Sequence, residues 1–256
     1  MTLSHKSIAK QLLIDIGNTR TKYCFVINGE LQPVNYCDNQ GLLAQWFSQH
    51  WLDVEQIVFA SVAQLGFSNL LTQWAAQNHI PCLQVTSPVT AFGVVNGYDN
   101  HRQLGVDRWL AVLGAHKRFP NQNCIIVDAG TATTIDYLDK AGQHQGGWIL
   151  AGIETLFTSI QANTANVQGE QLDIEKLAFG QNTNDNLAQA AWASTLGLIQ
   201  QAIQLAEQQG ASIDQVIMTG GNGHRLAEML AEQHIPTSYH PLLVFEGLSC
   251  YLTESE

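Results

Sequence analysis

Short apolar runs alternate with amphipathic stretches along this chain, and one such run occurs twice. Leu12 to Val26 reads LLIDIGNTRTKYCFV and Cys124 to Leu138 reads CIIVDAGTATTIDYL, with Asp15 and Asp128 at equivalent positions 113 residues apart (15 to 128). Each copy is an apolar run ending in Asp, then x-Gly, then Thr or Asn, then a second apolar run. That pattern predicts a strand, a tight turn and a returning strand. A further strand recurs as QIVFASVAQ from Gln56 and as QVIMTGGNG from Gln215, the second emptying into a glycine turn. Helices are predicted over 41–50, 68–78 and 107–117, and again over 153–164, 184–209 and 242–252. Asn28-Gly29 reads as a hairpin, Gly146-Gly147 as a turn, 82–85 as a short strand and 91–105 as a loop. Phe119-Pro120-Asn121 punctuates the chain, which predicts two domains, 1–119 and 120–256. The class is α/β, with mixed sheets flanked by helices and a ligand cleft between two similar halves.

Composition narrows the function classes. A hydrophobic fraction of 45% and a mean hydropathy of −0.03 over 256 residues fit a globular protein with ample core. The net charge is −11, and no basic run exceeds His116-Lys117-Arg118. A nucleic-acid partner would want a clustered basic face, so that class is disfavoured. The opening MTLSHKSIAKQ is polar, and the apolar run after it is broken at Asp15, too early for a signal-peptide core or a membrane span. Five widely spaced cysteines without C-x-x-C suggest neither a disulfide framework nor a zinc site, and the nine histidines show no metal-ligand spacing. A reducing, cytoplasmic compartment is expected.

The turns carry the chemistry. Glycine allows a sharp bend and leaves backbone N–H groups uncovered for an anion; Thr hydroxyls add donors, and the Asp can hold a cation or a water. One Asp-x-Gly hairpin is ordinary turn chemistry. Two copies at equivalent places in two halves point instead to a polyphosphate gripped from both sides. The Gly220-Gly221 turn adds a surface that a flat purine or a ribose can approach closely.

Four segments resemble type III pantothenate kinases, within the actin-like (ribonuclease H-like) ATPase and sugar kinase superfamily. They are Asp15-Ile16-Gly17-Asn18-Thr19 to Lys22, Gly105-Val106-Asp107-Arg108, Asp128-Ala129-Gly130-Thr131-Ala132-Thr133-Thr134, and Gly146-Gly147-Trp148-Ile149 through Gly152. Asn96-Gly97-Tyr98 and Asn182-Thr183 also fit, and the likeness spans nearly the whole chain. It implies two actin-like domains and transfer of a phosphoryl group from ATP to pantothenate, the first step of coenzyme A biosynthesis. It also implies a homodimer whose site is completed by the neighbouring subunit. One departure is Ala151, where the family usually has Pro; slightly looser packing and no lost activity are expected there.

The resemblance implies roles for individual residues. Asp15, Ile16, Gly17, Asn18, Thr19, Arg20, Thr21 and Lys22, with Thr131, would bind ATP. Tyr98, Gly105, Val106, Asp107, Arg108 and Thr183 would bind the acceptor. Asp128 would hold K⁺ or NH₄⁺, and Asp15 would hold Mg²⁺, through water. Asp107 is the candidate general base; read without the resemblance it is rather an acid at a helix N-terminus, stabilising the dipole, and the two roles are compatible. Arg108 has the fork geometry for a carboxylate, or for pairing with a neighbouring acid. Lys22 reaches phosphate or is a solvated lysine, and Thr183 contacts substrate across the dimer or caps its own helix. Two rival readings share the turns: another small-molecule kinase or phosphatase of the superfamily, and a non-catalytic regulatory accessory protein.

Overall fold

The computed structural model describes residues 10–18, 20–39, 44–62, 65–164, 169 and 173–252. In chain order the elements begin with β1 (Lys10–Ile16), β2 (Arg20–Ile27), β3 (Glu30–Leu31), β4 (Asn35–Asp38), α1 (Ala44–His50), β5 (Gln56–Ser61), α2 (Leu65–Gln77) and β6 (Cys82–Gln84). Next come β7 (Thr90–Ala91), β8 (Val94–Val95), a 3₁₀ turn at His101–Gln103 and α3 (Val106–Arg118). Then follow β9 (Cys124–Ala129), β10 (Ala132–Leu138), β11 (His144–Ala151), α4 (Ile153–Asn163) and α5 (Thr183–Gln208). The last are β12 (Gln215–Thr219), α6 (Gly223–Ala231), β13 (Thr237–Tyr239) and α7 (Leu243–Ser249). No helix among the described residues is long and apolar enough to cross a membrane.

The chain packs as two units, one of residues 1–92, 98–117 and 242–256, the other of residues 93–97 and 118–241. The first contains a sheet in the order β3-β2-β1-β5-β6, with β4 also on β2. β1 and β2 are antiparallel, whereas β5 and β6 run parallel to β1. Leu12, Leu13, Ile14 and Ile16 of β1 have no exposed surface, as an unbroken apolar run in a central strand requires. Leu12, Ile14, Ile16, Ile57 and Phe59 pack against Phe47, Trp51, Leu71 and Trp74 from the α1 and α2 region.

α7 packs on β1 and β5 and is crossed by α3. The crossing is close because both helices present glycine. A Cβ on Gly114 would stand 2.2 Å from the Leu243 carbonyl oxygen, and one on Gly247 would stand 2.0 Å from that of Leu110. Trp109 Nε1 donates to Tyr251 Oη at 3.0 Å and Lys117 Nζ to Ser249 Oγ at 2.9 Å, which fixes α3 along its length.

The second unit repeats the plan with the order β11-β10-β9-β12-β13. β9 and β10 form the antiparallel hairpin, and β12 and β13 run parallel to β9. Its core joins Ile125, Val127, Val216 and Met218 of the sheet to Trp192, Leu196 and Ile199 of α5 and Leu226 and Leu230 of α6.

Several expectations are corrected. A single cut after residue 119 does not describe the packing, because the last helix lies on the first unit's sheet and residues 93–97 go with the second. Hydrophobic pattern marks a helix face as buried without naming its partner. Gly146-Gly147 is no turn: both residues lie inside β11, where Gly146 takes a φ of +97° beside a register shift opposite Asp136–Leu138. Such a bulge uses glycine's freedom within a strand. The loop expected over 91–105 contains β8 and the 3₁₀ turn, and α6 and β13 were not expected. β11 is an edge strand, a place that tolerates proline, so Ala151 at its end keeps the strand with or without the family's usual residue.

Candidate active site

In the first unit, Asp15 is the penultimate residue of β1 and sits opposite Lys22 across the β1–β2 ladder. The turn between them closes when Gly17 N–H donates to the Arg20 carbonyl at 3.0 Å. A Cβ on Gly17 would come within 2.9 Å of that oxygen, so the tight closure needs glycine. Lys22 Nζ lies 3.9 Å from Asp15 Oδ2, half-exposed, while the Asp15 side chain is 13% exposed. Burial pushes the Asp15 carboxyl up to about 6; Lys22 pulls it back and the Asp107 carboxylate in the same unit pushes it further. Asp15 is therefore mostly ionised at neutral pH and titrates just below it.

Asn39, which sequence reading passed over, braces this turn. Its Nδ2 donates to the Gly17 carbonyl at 2.7 Å and to that of Asn18 at 3.2 Å, and its Oδ1 accepts from Thr21 Oγ1 at 2.7 Å. Thr21 has no exposed surface. Its hydroxyl is committed behind the turn, which corrects the expectation of a donor facing phosphate. Ile16 is likewise buried, and its carbonyl accepts from Val62 N–H at 3.0 Å. Arg20 is exposed on β2, and Thr19 lies outside the described residues.

The same unit carries α3, whose first turn contains Val106, Asp107 and Arg108. The Asp107 Oδ1 accepts from the Arg108 backbone N–H at 2.8 Å, so the carboxylate folds over the helix start. A Cβ on Gly105 would fall 2.5 Å from that oxygen; glycine leaves room for it. Arg108 is 5% exposed, donates from Nη1 to Tyr98 Oη at 2.7 Å, and lies with its guanidinium carbon 5.6 Å from the Tyr98 ring centre. The structure thus brings together Tyr98, Gly105, Asp107 and Arg108, and sets Asp15 within the electrostatic reach of Asp107.

In the second unit, Asp128 occupies the position in β9 that Asp15 occupies in β1. Three glycine turns converge there. Gly130 N–H donates to the Ala132 carbonyl at 3.1 Å, closing the β9–β10 turn. The Thr131 carbonyl accepts from Gly152 N–H and from Thr155 Oγ1, both at 2.9 Å, and a Cβ on Gly152 would stand 2.1 Å from the Gly130 oxygen. Gly220, with φ +82°, would place a Cβ 2.4 Å from Asp128 Oδ1. Asn222 N–H donates to the Ala129 carbonyl at 3.1 Å, and its Nδ2 reaches the Glu154 carboxylate at 3.0 and 3.2 Å. Thr131 is exposed at the centre of this cluster.

Two more placements bear on the expected residues. A Cβ on Gly97 would stand 1.9 Å from the His144 carbonyl oxygen, and Gly97 N–H donates to His144 Nδ1 at 3.4 Å. An Nδ1 that accepts leaves the proton on Nε2, which meets Asp136 Oδ1 at 2.8 Å in a fully buried pair. Sequence alone gave no signal for that pair. Thr183 is the exposed first residue of α5; its neighbour Asn182 caps the helix by accepting from Asp185 N–H at 2.9 Å. The capping alternative for Thr183 is thereby removed.

Among the described residues no three His, Cys, Asp or Glu side chains cluster as a ready-made metal cage. A cation at either Asp would complete its shell with phosphate oxygens, carbonyls and water, as Mg²⁺ bound with a nucleotide commonly does.

Comparison with known proteins follows the same line. A family model described as type III pantothenate kinase matches residues 11–205. The type III pantothenate kinase of Colwellia psychrerythraea is 44% identical over 222 residues, covering 87% of this chain and 89% of that protein. A solved structure described as a Baf family transcriptional activator from Campylobacter jejuni superposes with a TM-score of 0.58 at 24% identity, covering 93% and 94% of the two chains. Another, assigned as a 2-dehydro-3-deoxygalactonokinase from Sinorhizobium meliloti, gives 0.57 at 13% identity, covering 93% and 97%. At these identities the two structures speak for the fold alone, an α/β arrangement of mixed sheets flanked by helices.

Proposed function

Because the chain belongs to the type III pantothenate kinase family, we propose that it transfers the γ-phosphoryl group of ATP to the primary hydroxyl of pantothenate. The products are ADP and 4'-phosphopantothenate, in the first step of coenzyme A biosynthesis, a role that fits a cytoplasmic enzyme. The observation that carries the acceptor side is the first turn of α3, where Asp107 and the Arg108–Tyr98 pair share one short segment.

Phosphoryl transfer asks for positioning and charge neutralisation more than for covalent catalysis. Asp107 accepts the proton of the pantothenate hydroxyl as its oxygen bonds to the γ-phosphorus and the bond from phosphorus to the β–γ bridging oxygen breaks. A carboxylate is a weak base, yet adequate when the transition state is loose and the proton leaves late. Arg108, oriented by Tyr98, receives the pantothenate carboxylate. With the N–H groups of Gly17 and Gly130 closing their turns, the Asn18 N–H, Thr19, Arg20 and Lys22 receive the phosphates in the first unit, and the exposed Thr131 does so in the second.

The donor sets fit the expected cations. Asp15 is buried beside Lys22, ionised above about pH 6, and suited to hold Mg²⁺ through water. Asp128, under the side-chain-free Gly220, suits a large, weakly hydrated K⁺ or NH₄⁺. These ions supply neutralisation of phosphate charge. The assembly is a homodimer with Thr183 reaching the neighbour's site. In support, Ala190, Ala193, Ser194 and Gly197 form an exposed small-residue face on α5, while Ala188 and Ala191 turn into the core.

An assay coupled to ADP release tests the reading. With Mg²⁺ and K⁺, purified protein should release ADP on addition of pantothenate, and much less when Na⁺ replaces K⁺. Release with a sugar or acetate but not with pantothenate would overturn the acceptor assignment.

A further inference from the structure

The turn after β1 has carbonyl groups whose direction is set from outside the turn. Asn39 follows the last residue of β4 and inserts its amide beneath residues 17 and 18, holding both carbonyls at 2.7 and 3.2 Å. The amide cannot rotate to present oxygen there, because the two carbonyls can only accept; with Nδ2 held toward them, Oδ1 is left to accept from Thr21 Oγ1 at 2.7 Å. In a planar trans peptide the C=O and the following N–H point in opposite directions. Drawing the Gly17 carbonyl toward Asn39 therefore turns the Asn18 N–H to the side away from Asn39. Asn39 carries no charge, so it fixes this polarity without adding a field that would repel an anion.

We infer that Asn39 is a positioning residue for phosphate binding: with Thr21 it locks the carbonyls of Gly17 and Asn18 inward so that turn N–H groups are presented to a nucleoside polyphosphate. Asn39 touches neither phosphate nor acceptor; it acts through the peptide units it holds. The inference rests on the kinase reading only in taking this turn as a phosphate site, and its test does not require the acceptor to be pantothenate.

The experiment is calorimetric titration of the full-length protein with Mg·ADP, comparing wild type with Asn39→Leu, Asn39→Asp and Thr21→Val. Asn39→Leu is close in shape and neutral, and removes both donors. It should weaken Mg·ADP about tenfold or more, the scale of a lost hydrogen-bonding arrangement around a charged group. Asn39→Asp should weaken it at least as much. Thr21→Val leaves Asn39 Oδ1 without its donor and so holds the amide less firmly, which should produce part of the same loss. Combined with Asn39→Leu it should add little, because the two residues act as one unit. In steady-state assays the KM for ATP should rise while that for the acceptor stays within about twofold, a split that general loosening of the fold would not give.

Wild-type affinity for Mg·ADP in a folded Asn39→Leu protein overturns the inference. So does a loss confined to Asn39→Asp, which would be charge repulsion alone, or an equal rise in both KM values. If Asn39→Leu fails to fold, Thr21→Val decides: an unchanged Mg·ADP affinity overturns the inference, and a selective loss supports it. Should the wild type bind Mg·ADP but leave pantothenate untouched, the acceptor assignment falls and the Asn39 result still stands.

Discussion

Asp15 is the residue whose environment makes the sharpest statement about pH. Its folded-state pKa of about 6 lies above the ordinary 3.8, so the native protein binds more protons than the unfolded chain between those values. Stability contributed by the protonated form is complete below about pH 3.8 and is lost as pH rises through about 6. Asp15→Asn removes that slope, so the variant should gain on wild type across this window, by up to ~3 kcal/mol. Denaturant unfolding at several pH values in metal-free buffer checks it; a constant difference between the two proteins would refute the shifted titration. A cation held there, as proposed, would reverse the preference by favouring the carboxylate.

Asp107 makes its statement through geometry. Its carboxylate folds over the start of α3, where either catalysis or dipole stabilisation would retain an acid. Asp107→Asn keeps size and hydrogen bonding and removes the base. Turnover should fall on the order of 10²–10⁴-fold with the thermal midpoint nearly unchanged. Wild-type kcat would leave Asp107 as a helix-end residue. Both aspartates were legible in sequence because each sits two residues from a glycine in a repeated or motif-like segment. Asn39 and the His144–Asp136 pair were not. Asn39 lies 22 residues from Gly17, and His144 lies 8 from Asp136 and 47 from Gly97, joined only by strand pairing and chain path.

At the scale of elements, the placement of α3 depends on a helix whose partner could not be read. The final helix was visible as an apolar run, but its seat on β1 and β5 joins the two ends of the chain, which no local pattern encodes. The α6 helix was missed although Leu226, Met229 and Leu230 show helical spacing, because the preceding glycines were read only as a ligand turn. By contrast, the two hairpins and their parallel neighbours came directly from alternating runs of β-branched residues. The α3–α7 crossing yields a paired test. Gly247→Ala sets a methyl group against the Leu110 backbone and must move α3; about 1–3 kcal/mol of stability should be lost, with kcat falling as well. Gly197→Ala, in a helix interior with open space around its Cα, should leave monomer stability unchanged or raise it by up to ~1 kcal/mol. Thermal unfolding and initial rates check both; a silent Gly247→Ala would mean that the two helices do not pack this closely in solution.

At the scale of the whole molecule, the duplication seen in sequence reappears as two sheets of matching strand order, with Asp15 and Asp128 at matching points. What duplication could not show is how a second copy of the chain contributes. Ala188 and Ala191 face the core, but Ala190, Ala193, Ser194 and Gly197 stay exposed at spacings of three and four, a face on which another helix can approach closely. Thr183, exposed at the head of the same helix, is the residue proposed to reach a neighbour's acceptor site. If it acts across the dimer, a Thr183→Ala subunit impairs its partner's site and leaves its own intact. Asp107→Asn impairs its own site alone. In a mixed dimer of the two, the site of the Asp107→Asn subunit therefore collects both defects, and the site of the Thr183→Ala subunit has neither. Mixtures should recover activity above either parent, up to one working site per mixed dimer. Subunit exchange is verified by differential tags and the rate is followed through ADP release. Full exchange without recovery would return Thr183 to its own subunit's site or exclude it from both.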